Sequence, residues 1–309
     1  MNLKRPFYKL PIVLDVAPAR QEVSKLITEA EWIDHASGFA GNSYIPLTSY
    51  QGTINNLKRT PIKQTYFAER LEEVSKLLRS FDFTIGISRL MKLAPGYCVP
   101  VHADTNEYWD DRVRIHIPLV TSDKVFFSCG NEEVVMAEGE AWTFNNWIKH
   151  GVRNEGNMDR IHLVFDTKSS NILDDTGSVH SGLASIAGSE TFMLEQEPSR
   201  AIKRASELKS SMQVLIDELN RMDDSHSKEV RSWYQLITNH LKKWEDIEKQ
   251  QGTDISAIPG YQAAIKTAFL EADNLGSGLR LKTNKVKVEI LFKSRVQQGV
   301  NLKMLFNGG

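Results

Sequence analysis

The sequence predicts an α+β chain: a β-sandwich or barrel preceded by helices and followed by a mostly helical region. Three observations carry this. From Phe83 to Asp166, short apolar, β-branched runs alternate with turn residues at close, regular intervals. Before that block, Val23, Leu26, Ile27, Ala30 and Ile33 recur at helical spacing. Beyond residue 182 the helical period returns, with Ile202, Ala205, Leu208, Met212, Leu215 and Leu219 three and four residues apart.

In chain order, Pro18 and Ala19 suit a helix start, and residues 18–35 read as one amphipathic helix. "SGFAGNSYIPLTSYQG" follows, glycine-bounded with a strand-like middle. Leu71, Val74, Leu77 and Leu78 mark a second helix over 66–80. The block then runs "FTIGISRLMKL", "VRIHIPLV", "VFFSC", "VVMAEGEAWTF" and "RIHLVFD", separated by "APGY", "TSDK" and "GNEE". Helices are expected over 197–222 and 226–250, the latter on Val230, Trp233, Ile237, Leu241 and Trp244. Another, over 259–275, opens on Pro259-Gly260 and closes at Gly276 and Gly278. The last 30 residues, including "LKTNKVKVEILF", alternate like strands. The expected division is 1–180 for the β-rich domain and 186–309 for the helical region with its basic tail.

At 309 residues and 41% apolar content, the chain can bury one large core or two smaller ones. Thirty-eight basic residues balance 39 acidic ones, which gives no reason to expect nucleic acid or an anionic membrane as partner. The N-terminal apolar runs are broken by prolines and Asp15, unlike a signal peptide. No run approaches the roughly 18 apolar residues of a membrane span. Cys98 and Cys129 form no C-x-x-C, so a reducing, cytoplasmic setting is expected.

The candidate site lies in the β-rich block. His102-x-Asp104 puts two metal-capable side chains on one side of an extended segment, just past the turn pair Pro95-Gly96. A third ligand must come from elsewhere, and His150, at the end of "GEAWTFNNWIKH", is the natural candidate. Two histidines and a carboxylate on one face of an ion leave its other positions open, the facial arrangement of non-haem Fe(II) oxygenases. Arg160 lies ten residues further, on the next strand. A guanidinium in a β pocket can grip a carboxylate through two parallel hydrogen bonds. Arg114-Ile-His116 and Arg160-Ile-His162 echo each other, and in each the arginine and histidine share a face. Taken singly, each residue has an ordinary explanation: a surface H-x-D pair, a loop histidine, a solvated strand arginine. Their order within one block is what sets them apart.

"RLMKLAPGYCVPVHAD", "RVRIHIPLV" and "GEAWTFNNWIKHGVRNEGNMDRIHLVFD" resemble the aspartyl/asparaginyl β-hydroxylase family, and bacterial proline hydroxylases are similar in the same block. The motifs span about 89–166. The resemblance implies a double-stranded β-helix (jelly-roll) core and an Fe(II)- and 2-oxoglutarate-dependent dioxygenase. It implies His102, Asp104 and His150 as iron ligands, Arg160 on the far carboxylate of 2-oxoglutarate, and Arg114 and His116 as further cosubstrate contacts. His162 takes no role from it and reads as a strand histidine satisfied in the core. The chain departs from the family pattern at Asn145, where an aspartate is commoner, and at Met91, where some relatives carry a serine. The implied reaction hydroxylates an unactivated C–H with O2, on a free amino acid or on an Asp, Asn or Pro-type residue of a peptide or protein. Tyr44, Trp109, Arg112 and Arg153, near the expected mouth, are candidates for touching that substrate.

Two other readings bear on the chain. A jelly roll that keeps a metal without the cosubstrate, as a cupin-type enzyme or a non-catalytic interaction module, explains the ligands but not Arg160. From Arg280 onward, seven basic residues (Arg280, Lys282, Lys285, Lys287, Lys293, Arg295, Lys303) face one acid, Glu289, for a local net of +6. With the lysines of "KVKVEILF" on one strand face, that face is expected to stay solvated or to meet an acidic partner.

Overall fold

A computed structural model describes residues 3–174, 177–180, 191–196, 201–222 and 227–301. The chain divides into two compact units, Met1–Asp104 with Asp111–Glu197, and Thr105–Asp110 with Pro198–Gly309.

The first unit begins with β1 (Phe7–Val13), α1 (Ala17–Leu26), β2 (Ile33–Asp34), β3 (Asn42–Tyr50) and β4 (Ile62–Gln64). It continues through α2 (Tyr66–Arg70), α3 (Glu72–Arg79), β5 (Ile85–Leu93), β6 (Cys98–His102), β7 (Arg112–Val120) and β8 (Val125–Cys129). It closes with β9 (Glu132–Val134), β10 (Glu140–Phe144), β11 (His150–Asn154) and β12 (Arg160–Lys168). Eight strands make one sheet in the order β1-β10-β7-β12-β5-β3-β2, with β4 on β3, and four make a second, β6-β11-β8-β9. All named pairings are antiparallel. This is the expected jelly roll with flanking helices.

Alternation along the strands gives the large sheet two different faces. Ile45, Leu47, Leu90, Val113, Ile115, Ile117, Leu163 and Phe165 point to one side and join α1 and α3 through Ala19, Val23, Val74, Leu77 and Leu78 in one apolar core. On the other side, Phe7, Leu93 and Phe144 meet Val125, Phe127, Cys129 and Val152 of the small sheet. This second core fills only part of the space between the sheets; the rest of that face is polar and forms the candidate site.

Two N-terminal helices differ from expectation. The helix expected over 18–35 stops at Leu26, Ile27 turns extended (φ −101°, ψ 119°), and Thr28 caps a short 3-10 turn with Glu31. Ile33 then leaves the helix to pair with Tyr44 at the sheet edge. The helix expected over 66–80 breaks at Leu71 (φ −103°, ψ 76°), a fully buried residue.

The second unit holds α4 (Ala205–Asn220), α5 (Ser227–Gln251), α6 (Ile258–Leu275) and α7 (Val288–Gln297). The first three fall where periodicity put them, with Pro259 opening α6 and Gly276 at φ +82° ending it. The tail corrects the expectation: it is not strand-like. Lys287 is the N-cap of α7, and Val288, Leu291, Phe292 and Val296 lie buried at helical spacing. Lys285-Val286-Lys287 of the alternating stretch precede the helix, with an isolated bridge from Arg280 to Lys287. Residues 302–309, with Lys303, and the expected 180/186 boundary lie outside the described residues. No described helix is long and apolar enough to cross a membrane.

Candidate metal centre

His102 and His150 are register partners across β6 and β11, which places the two imidazoles side by side with ring centroids 4.4 Å apart. Asp104 lies two residues beyond the end of β6, where its N–H donates to the Asn146 carbonyl at 2.8 Å. One ligand atom from each of His102, Asp104 and His150 falls within 4.8 Å of the others. Each histidine is oriented by a backbone carbonyl two residues earlier: His102 Nδ1–H donates to Pro100 at 2.8 Å and His150 Nδ1–H to Ile148 at 2.9 Å. Both therefore turn Nε2 toward the cluster, and the carbonyls fix tautomer and ring orientation. Burial pushes His150 below its ordinary value, which favours the neutral imidazole that binds a metal. Phe144 packs against His150 at 4.7 Å between ring centroids.

The turn that delivers His150 depends on Asn145, the residue that departs from the family pattern. Its Oδ1 accepts from Trp147 N–H at 3.2 Å, and its Nδ2 donates to the Leu3 carbonyl at 2.8 Å. An asparagine that accepts at one end and donates at the other does what an aspartate cannot.

A second cluster lies on the polar face of the large sheet. Arg160 is 4% exposed; its Nη2 donates to His162 Nδ1 at 2.8 Å and lies 3.4 Å from His116 Nδ1. Since both Nδ1 atoms face a guanidinium, both imidazoles carry their proton on Nε2. Burial, and then the Arg160 charge, push His116 and His162 well below the ordinary range, so both are neutral. Arg160 Nε and both Nε2 atoms have no hydrogen-bond partner among the described residues. Nor does any described carboxylate form an ion pair with Arg160. Buried donors and a buried cation without an anion are costly unless something satisfies them. The expectation of His162 as a satisfied core histidine is thus corrected on one side of its ring.

The other expected residues divide. Arg114 shares the polar face but is bound bidentately by fully buried Asp166, at 2.7 and 3.0 Å. Tyr44 stands in the same wall, 2% exposed, with Arg89 Cζ 5.0 Å from its ring centroid and the His35 ring at 5.9 Å. Arg112 is held by Glu195 at 3.0 and 2.7 Å. Arg153 lies on the opposite face of β11 from His150, stacked 4.2 Å from the Phe126 centroid and ion-paired with Glu133 and Glu155. Trp109 is buried in the second unit. Arg112 and Arg153 thus carry carboxylate partners, and Trp109 is buried.

Sequence reasoning missed His35, Lys58, Arg89, Asn146 and Asp166. Burial, and then the Arg89 and Arg114 charges, push His35 down to about 4. Burial also lowers Lys58, with Asp104 pulling the other way. Arg89 could have been found, because it lies two residues before Met91 on β5 and so shares its face.

Residues 20–170 match the family model for aspartyl/asparaginyl β-hydroxylases. The matched stretch, just under half of the chain, is similar to that family. The family resemblance implies Fe(II) and 2-oxoglutarate as cofactors, and the matched stretch contains the His102, Asp104 and His150 cluster that could hold a metal ion. Solved structures similar to parts of the chain include the α-ketoglutarate-dependent epimerase SnoN of nogalamycin biosynthesis (11% identity, 62% of this chain and 87% of that one, TM-score 0.40). A 2OG-Fe(II) oxygenase-family protein of Burkholderia pseudomallei is similar at 13% identity over 48% and 76%, TM-score 0.35. So is a Pseudomonas putida prolyl-4-hydroxylase, at 10% over 53% and 93%, TM-score 0.34. The residues present fit both cofactors. The two imidazoles and one carboxylate suit Fe(II), and the unsatisfied donors around Arg160 suit a carboxylate.

Proposed function

We propose that this hydroxylase oxidises an unactivated C–H of an amino acid, or of an Asp, Asn or Pro-type residue in a peptide or protein. His102, Asp104 and His150 hold the iron. Arg160 grips the distal carboxylate of 2-oxoglutarate, with His162 orienting the guanidinium and His116 offering its Nε2–H. The observation that carries this reading is the buried Arg160 guanidinium, flanked by two neutral imidazoles. When bound, iron and 2-oxoglutarate supply the chemistry: O2 is consumed, succinate and CO2 leave, and one oxygen atom enters the C–H bond. The chain's part is to bind, orient and exclude water, and no side-chain general base is called for.

Arg114, neutralised by Asp166, acts in this reading as a rigid part of the wall. Tyr44, with Arg89 and His35 beside it, is the candidate substrate contact. A cupin-type metal site without 2-oxoglutarate, or a non-catalytic module, leaves Arg160 unexplained. The expected acidic partner rests on fewer cations than counted, since Lys293 pairs with Asp273 and Glu289, and Arg295 with Asp110. Arg280, Lys285 and Lys287 would carry it. A reducing, cytoplasmic compartment suits Cys98, an exposed free thiol.

The test is anaerobic titration of the protein with Fe(II) and then 2-oxoglutarate. The expected result is a weak visible charge-transfer band that appears only with both and is lost in Arg160→Ala at the same concentrations. Intact protein that binds Fe(II) and gives no band at saturating 2-oxoglutarate would sink the oxygenase reading and leave the cupin one.

A further inference from the structure

The candidate metal ligand Asp104 stands at an unusual point in the chain. It is the last residue of the first unit before the backbone departs for six residues, Thr105–Asp110, that pack within the second unit. The chain then returns at Asp111 and enters β7. Within the second unit one side chain spans that excursion. Arg295, on α7, donates from Nη1 to the Thr105 carbonyl at 3.1 Å and from Nη2 to Asp110 Oδ1 at 2.6 Å. Its neighbour Ser294 donates to Glu107 Oε2 at 2.6 Å. The Arg295 side chain is 1% exposed and that of Asp110 9%. A guanidinium suits this task because its rigid fork reaches two acceptors at once, which an ammonium cannot do in fixed geometry.

Asp104 is less firmly held from its own side. His102 and His150 have both a sheet ladder and a backbone carbonyl to orient them. Asp104 has one backbone bond, to Asn146, and no hydrogen bond on its carboxylate among the described residues. The direction of its carboxylate therefore depends on the backbone that follows. The next carbonyl along, that of Thr105, is the one Arg295 takes.

We propose that Arg295 is a positioning residue for the metal site: by tying Thr105 to Asp110 it sets the backbone from which Asp104 presents its carboxylate. The inference rests on the reading of Asp104 as a ligand. Groups that orient metal ligands typically change metal affinity by about 10–100-fold when removed.

A double-mutant cycle on the full-length apo protein tests this, with Co(II) as the probe and affinity read by competition with a coloured chelator. Asp104→Ala should weaken Co(II) binding at least about ten-fold, and Arg295→Met should approach the same loss. The double variant should bind no more weakly than Asp104→Ala alone, because both changes remove one interaction. The Co(II) visible spectrum of Arg295→Met should move toward that of Asp104→Ala, which a merely destabilising substitution would not cause. If Arg295→Met fails to fold, as judged by circular dichroism, the same cycle is run with Arg295→Lys, which keeps the charge beside Asp110 but not the fork. Additive losses, or parent-like affinity and spectrum in the folded Arg295 variant, would overturn the proposal. Unchanged Co(II) affinity in Asp104→Ala would instead overturn the ligand assignment beneath it.

Discussion

Replacing Arg160 by methionine should move stability and ligand affinity in opposite directions. In the absence of an anion the guanidinium is a buried charge whose near neighbours are two neutral imidazoles. Burial alone pushes it down from its ordinary value to about 9, which at 1.36 kcal/mol per pH unit is a penalty of up to roughly 5 kcal/mol on the charged form. Methionine fills a similar volume without that penalty, so the apo protein should be no less stable than the parent, and up to a few kcal/mol more so. Binding of 2-oxoglutarate should suffer, because a buried charge-assisted bidentate pair is worth about 3–5 kcal/mol when one partner is removed. At 1.4 kcal/mol per decade, that is two to four decades in Kd. The assay pairs urea denaturation of the apo protein with calorimetric titration of 2-oxoglutarate into the Co(II)-loaded form. As a control, 2-oxopentanoate, which lacks the far carboxylate, should bind parent and variant alike. Co(II) affinity should not change. A variant that loses several kcal/mol of apo stability while binding 2-oxoglutarate as the parent does would refute the reasoning and make Arg160 a structural residue.

Three further outcomes are expected. His102→Ala or His150→Ala should abolish Fe(II) retention and leave the far-UV spectrum unchanged, since each removes one of three ligands; full succinate production by either variant would show the cluster to be misassigned. His240, 4% exposed in the second unit, is pushed down by burial to about 4, so it is neutral in the folded state and charged in the unfolded state over roughly pH 4–6.5. Its stabilising contribution is then whole above pH 6.5 and is lost as pH falls toward 4, by about 3 kcal/mol in all; His240→Gln should flatten that acid limb, read by hydrogen exchange in α5, and an unchanged limb would contradict it. Truncation at Gly278 should unfold the second unit, because it removes buried Val288, Leu291, Phe292 and Val296, worth about 1.5–3 kcal/mol each at most; a truncated chain that keeps cooperative melting of α4–α6 would refute this.

The parts of the molecule governed by a local period were legible in the sequence. The β-rich block, α4, α5 and α6 follow from alternation or helical spacing, and the pairing of His102 with Asp104, and of Arg160 with His162, on common faces follows from the two-residue repeat of a strand. What depends on register between distant strands was not legible from the residues alone. His150 meets His102 because β11 pairs with β6, and Arg114 meets Asp166 because β7 pairs with β12. No local pattern in "RVRIH" or "RIHLVFD" announces that its arginine has a carboxylate opposite. The family resemblance supplied the first of these pairings and not the second.

The tail shows how a count of charges goes astray. Seven cations against one acid looks like a surface seeking an anion, provided each cation is solvated. Arg295 is instead among the most deeply buried side chains of the molecule, spent on Asp110 and the Thr105 carbonyl, and Lys293 is shared between Asp273 and Glu289. The helical period would have flagged the difference. Taking Val288, Leu291, Phe292 and Val296 as one apolar stripe puts Arg295 three residues after Phe292 and four after Leu291, on the buried side of α7. An arginine in that stripe cannot face water, so it must have an acid and further acceptors inside the fold. Those partners turn out to lie in the short stretch that follows Asp104. The residue that looked most like part of a docking surface is thereby the one whose removal should be felt at the metal.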